Sequence, residues 1–162
     1  MKTPEWLNDE EQRLWRLMLA ANRKVDRAIE ESLNTGYDLT TPEFGVLVSL
    51  SEHPEKRMRL RELCAALNWD RSRTSHQITR MERRGLVDKQ RCSGDGRGVL
   101  VALTKEGERR LKQAVPEHVQ TVRELVFDRL SQEQAQAIHD FSLAVLGSDV
   151  EHLNIPKGKN NG

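Results

Sequence analysis

The stretch "LRELCAALNWDRSRTSHQITRMERRGLV", residues 60–87, decides the fold. Its first part, about Leu60 to Leu67, reads as a short helix whose start is poorly marked, because Arg59 and Arg61 are weak capping residues. "NWD" then turns the chain. Asp70 is a good N-cap for a second helix from Arg71 to Arg84, and Gly85 is placed to stop it in the left-handed conformation that glycine adopts without steric cost. Two helices joined by a three-residue turn make a helix-turn-helix.

The second helix divides into two faces. Trp69, Thr74, Ile78 and Met81 fall on one side and form its core face. The other side carries Ser72, Ser75, His76, Thr79, Arg80 and Arg83, with Arg71 and Arg73 in the first turn and no carboxylate until Glu82. Long cations reach phosphates and guanine edges, small hydroxyls let the backbone approach a groove wall, and the helix N-terminus itself favours phosphate. This helix is suited to the major groove of DNA. An ordinary exposed amphipathic helix is the alternative for that face taken alone.

Beyond Gly85, "LVDKQR" and "GVLVALT" have strand character, the second through Val99, Val101 and Leu103 on one face. The glycine-rich "CSGDGRG" between them forms a hairpin tip. Arg97, set between two glycines, projects from that tip, and beside a helix in the major groove it would reach the adjacent minor groove, whose negative potential attracts arginine. Asp95 would be repelled by DNA, so its expected role is to hold Arg97 or a recognition-helix arginine in place. The alternative is a hairpin whose Asp and Arg merely satisfy one another.

The flanks are helical. Asn8 with Glu11 opens a long helix to about Thr35, ending before Gly36, with Leu14, Leu17, Met18, Ala21, Val25, Ala28, Ile29 and Leu33 at helical spacing. Thr40 with Glu43 opens the next, with Pro42 in its first turn and Phe44, Leu47 and Leu50 facing inward. Thr104 caps a helix read as far as Leu130, which Pro116 should kink. Ser131 with Gln134 opens a last one carrying Ala135, Ile138, Phe141 and Val145. The expected fold class is mainly α with a small β-hairpin wing. A winged helix-turn-helix lobe (40–103) is flanked by helical regions (8–35 and 104–148) with more apolar surface than one subunit can cover, and a loose tail (149–162) follows.

Charge supports that division. The 162 residues carry a net charge of +1, yet residues 56–110 hold 15 Lys and Arg against 7 Asp and Glu, a surplus of +8, leaving −7 for the remainder. A cationic block this localised is the electrostatic footprint of a nucleic-acid site. The absence of a long apolar run and of a basic, apolar leader points to a cytoplasmic protein with no membrane association. Cys64 and Cys92, without CxxC spacing, suggest neither disulfide framework nor zinc site. His53, His76, His118, His139 and His152 have no metal-binding spacing, and neither a Gly-x-Ser-x-Gly nucleophile motif nor a phosphate-cradling loop is present. No enzyme, metal or cofactor is expected.

"LTTPEFGVLVSL", residues 60–87 and above all "DGRGVLVALTKEG" together resemble the MarR family of bacterial transcription factors, with its D-x-R wing and its L-T-x-x-G helix start. The resemblance spans about Asn8 to Val145. It implies a homodimer whose terminal helices interlock and whose two recognition helices enter successive major grooves of a pseudo-palindromic operator in double-stranded DNA. By position, Ser72, Arg73, Ser75, His76 and Arg80 match the base- and phosphate-facing part of the recognition helix, with Arg71 in its first turn, and Asp95 and Arg97 match the wing pair. It further implies a repressor released by a small aromatic or anionic ligand or by cysteine oxidation. For a ligand cleft the matching residues are Trp15, Phe44 and His118. For oxidation the residue is Cys92, since a cation such as the neighbouring Arg91 favours the reactive thiolate. Cys64 reads as packing. A winged helix used for protein–protein contact remains the rival from another class.

Overall fold

The structure, a computed structural model, describes residues 1, 3–92 and 98–156. Asp95 and Arg97 therefore lie outside the described residues. Six helices and a small sheet follow one another as α1 (Asp9–Tyr37), α2 (Thr41–Glu52), β1 (Arg57–Arg59), α3 (Leu60–Leu67), α4 (Arg71–Arg83), β2 (Val87–Arg91), β3 (Val99–Leu103), α5 (Lys105–Leu125) and α6 (Gln132–Leu146).

The capping boxes read from the sequence form. Asn8 accepts from the Glu11 N–H at 2.9 Å while Glu11 accepts from the Asn8 N–H at 2.8 Å. Thr40 with Glu43 and Ser131 with Gln134 do the same. Each box satisfies two of the amide donors that a helix start leaves without partners.

Several boundaries differ from the expected ones. α1 runs through Gly36 to Tyr37, because Asp38, with φ 50°, takes the left-handed position instead of the glycine. Pro116 lies inside α5 without ending it. That helix stops at Leu125, and Phe127–Arg129 form a separate 3-10 turn. β1 has no counterpart in the sequence reading. It pairs Met58 with Val101 of β3, giving the sheet order β1-β3-β2, all antiparallel. Past α6, Gly147–His152 form another 3-10 turn and the Asn154 amide donates to Glu52, so chain order extends into the segment expected to be loose.

The core lies within the lobe built by α2, α3, α4 and the sheet, closed by the C-terminal part of α1 and the N-terminal half of α5. Leu33, Leu47, Leu50, Leu63, Ile78, Met81, Leu86 and Val101 are wholly buried in it. The T-x-x-G start of α5 shows how tightly this core closes. The Thr104 hydroxyl accepts from the Gly107 N–H at 3.0 Å and donates to the Gly85 carbonyl at 2.7 Å. A Cβ on Gly107 would sit 2.2 Å from the Leu86 carbonyl oxygen, so only glycine fits there. That glycine seats α5 directly on the end of the recognition helix.

Candidate nucleic-acid interface

α4 is anchored at both ends. The Asp70 carboxylate accepts from the Arg73 N–H at 2.8 Å. At the other end Gly85 has φ 73°, its N–H donates to Glu82, and the Leu86 N–H donates to Met81, the paired closing bonds of a glycine stop. Thr74, Ile78 and Met81 are buried as expected, and so is Gln77, which the sequence reading passed over. Arg71, Ser72, Arg73, His76, Arg80 and Arg83 are exposed, while Ser75 is half-buried. All the described recognition-helix candidates thus share one outward surface.

Two of these cations are held before any partner arrives. The Arg73 guanidinium lies 4.4 Å from the centroid of the Trp69 ring, a cation–π contact. Arg80 donates to the Gln77 side-chain oxygen at 2.6 Å. Such contacts lower the entropy lost when a flexible side chain docks. The buried Gln77 is explained by this role: a polar side chain on an apolar face is the signal that could have marked it.

α4 is also tied to the hairpin. Glu82 accepts from the Lys89 backbone N–H at 2.9 Å, and the Lys89 ammonium donates to Thr79 at 3.2 Å. Helix and wing base therefore form one unit. β1 and the start of α3 add Arg57, Arg59 and Arg61, all exposed, to the cationic surface. The alternation in "RMRLRE" was the sequence signal for them.

A further set of charges joins this lobe to the terminal helices. Arg84, just past α4, donates to both Glu43 carboxylate oxygens at 2.7 Å and to the Asp38 carboxylate at 2.9 Å. Arg110 of α5 reaches the same Asp38 carboxylate at 3.2 Å. Hydrogen bonds from Arg109 and then Arg110 hold the Glu106 carboxyl down to about 2. Recognition helix, α1 and α5 meet at this joint.

The remaining candidates separate. Phe44 and His118 do meet, with ring centroids 4.4 Å apart, and the His118 Nδ1 is buried with no hydrogen-bond partner among the described residues. Burial pushes the His118 imidazole below its ordinary value. Trp15 is not with them. α1 and α5 are antiparallel, since Tyr37 bonds Glu117 while Val25 packs near Leu125. That places Trp15 roughly 25 Å or more along α1 from the level of His118. It is half-exposed and groups with Trp6, Leu7 and Arg16. Within one chain the cleft of three residues does not assemble. Cys92 is buried at the wing base while Arg91 beside it is exposed. Burial works against the accessible thiolate that redox sensing uses. Cys64 is the more accessible cysteine.

A helix-turn-helix with an outward cationic recognition helix, backed by a three-stranded wing sheet, defines a winged helix DNA-binding protein. Comparison with known proteins agrees. Residues 37–98 match the model of the MarR family. A MarR family regulator from Streptomyces coelicolor, AbsC, is 36% identical, with 92% of this chain and 97% of that one aligned at a TM-score of 0.81. Sco3205 from the same organism, solved in complex with DNA, is 33% identical over 96% of this chain and 98% of its own, with a TM-score of 0.86. The regulator PecS of Dickeya dadantii is 27% identical over 80% of this chain and 75% of its own. The chain belongs to the MarR family and is a DNA-binding transcriptional regulator. No helix among the described residues is long and apolar enough to cross a membrane.

Proposed function

We propose that the chain acts as a homodimeric repressor that grips a pseudo-palindromic operator through α4 and the wing and is released by a small aromatic or anionic ligand. The observation that carries this is the pre-set cationic face of α4, with Arg73 stacked on Trp69 and Arg80 bonded to Gln77. Arg71, Ser72, Arg73, Ser75, His76 and Arg80 make the major-groove contacts, and Arg97, positioned by Asp95, enters the minor groove. A protein partner would not demand a surplus of +8 across residues 56–110. The resemblance of the chain to a regulator solved on DNA supports the same docking.

Pairing of two chains is supported by the apolar faces left uncovered. Trp15 and Leu17 of α1, Val119 of α5 and Phe141 and Val145 of α6 are all about half-exposed or more. α6 has no buried residue at all. These regions (8–35 and 104–148) are the dimerisation part, and 40–103 the DNA-binding part. A paired lobe occupying two successive major grooves excludes other proteins from that DNA, which is repression in its simplest form.

The test is affinity for a selected operator duplex. Arg80→Ala and Arg97→Ala should each weaken binding by about 1 to 3 kcal/mol with the fold retained. Unchanged affinity in both would remove helix and wing from the interface.

A further inference from the structure

A cleft with an apolar floor and a cationic rim opens between α3, the first turn of α4 and the base of β3. It encloses about 340 Å³, with Arg59, Arg61 and Arg71 set around Leu60, Cys64 and Val99. No lining residue among those described is acidic. Among the described residues the three guanidinium groups form no ion pair, in contrast to Arg84, Arg109 and Arg110. The acids next to them in sequence are engaged by backbone instead: Glu62 accepts from the Arg59 N–H at 2.8 Å and Asp70 from the Arg73 N–H at 2.8 Å. Three permanently charged groups around one depression repel each other until an anion enters.

Cations alone would suffice for a DNA phosphate. The apolar floor calls for more, because a volume of about 340 Å³ falls within the roughly 300–1,000 Å³ range of small-molecule sites, which combine an apolar lining with a few polar anchors. We propose that this cleft binds a small amphipathic anion, an apolar body carrying a phosphate or carboxylate. Bound there, the anion and the DNA backbone exclude one another. This rests on the reading of the chain as a ligand-released DNA-binding regulator and gives the ligand a place distinct from the Phe44–His118 contact. Arg71 opens the recognition helix. An anion held by Arg71 neutralises a cation that DNA requires, so release follows from direct competition.

Calorimetric titration of the full chain without DNA, using phenyl phosphate, inorganic phosphate and benzyl alcohol, tests the cleft. Phenyl phosphate should bind at least tenfold tighter than inorganic phosphate or benzyl alcohol, and Arg59→Gln and Arg61→Gln should each weaken it at least fivefold at an unchanged thermal midpoint. It should also slow iodoacetamide alkylation of Cys64, which borders the cleft, and leave the reactivity of buried Cys92 unaltered. Equal affinity for inorganic phosphate, full binding by both arginine variants, or an unprotected Cys64 would overturn the proposal. Phenyl phosphate that protects Cys64 yet leaves duplex affinity unchanged would overturn the exclusion of DNA. If the anion binds as expected but no duplex binds at low salt, the regulator reading fails while the cleft stands. A duplex that binds without any phenyl phosphate binding refutes the cleft alone.

Discussion

The DNA-binding lobe covers itself, whereas the terminal helices do not. In the lobe, Leu47, Leu63, Ile78 and Val101 are 0% exposed, while on α6 Phe141 is 52% and Val145 68% exposed. Burying one such side chain is worth about 1.5 to 3 kcal/mol, so the lobe holds its stability within one chain, and the proposed pairing of two chains would supply what the helices lack. The charged joint of Arg84, Asp38 and Arg110 lies between the two regions. A difference of this kind has a consequence: substitutions in the core of the lobe should act on folding, and those on the helix faces on association.

The sharpest way to break that contrast is at Gly107. Gly107→Ala places a methyl group 2.2 Å from the Leu86 carbonyl, where backbone must shift, and should lower folding stability by about 3 kcal/mol in chemical denaturation. A near-neutral result would mean that α5 is not seated on the recognition helix. Next, Ile138→Glu together with Phe141→Glu should raise the dimer dissociation constant at least a hundredfold in sedimentation equilibrium while the lobe keeps its unfolding transition. Both residues are half-exposed in the single chain, so little else should change. An unaltered dimer would place the interface elsewhere.

The smallest effect concerns His118, which borders both regions. Burial holds its folded-state value below the ordinary 6.5, so the unfolded chain takes up the proton more readily. Stability is then complete above about 6.5 and declines as pH falls through that value toward the lower folded one. Denaturation midpoints measured across this window should fall modestly in the wild type, and His118→Phe should flatten the dependence. Glu106 titrates separately, between its ordinary 4.5 and about 2.

How much of this was legible in the sequence follows from range. Local signals worked: capping pairs such as Thr40 with Glu43, the Asp70 cap and the Gly85 stop depend on residues within one turn, and each forms as read. The polar face of α4 was equally visible, because helical periodicity sorts it from Ile78 and Met81. Contacts across the fold were not. β1 is three residues long and exists through its pairing with β3, and Cys64 takes its place at the cleft from residues of α4 and β3 that no local pattern names. Trp15 was grouped with Phe44 and His118 because sequence spacing carries no information on how far apart two points of a long helix lie.

The central claim is that the cationic lobe, presented twice, grips duplex DNA through its phosphates as well as its bases. Its most direct test is the affinity for an operator duplex measured as a function of salt. The account predicts a steep linear fall of log affinity with log salt, with a slope of roughly −0.9 for each phosphate contacted. An affinity indifferent to salt would contradict it.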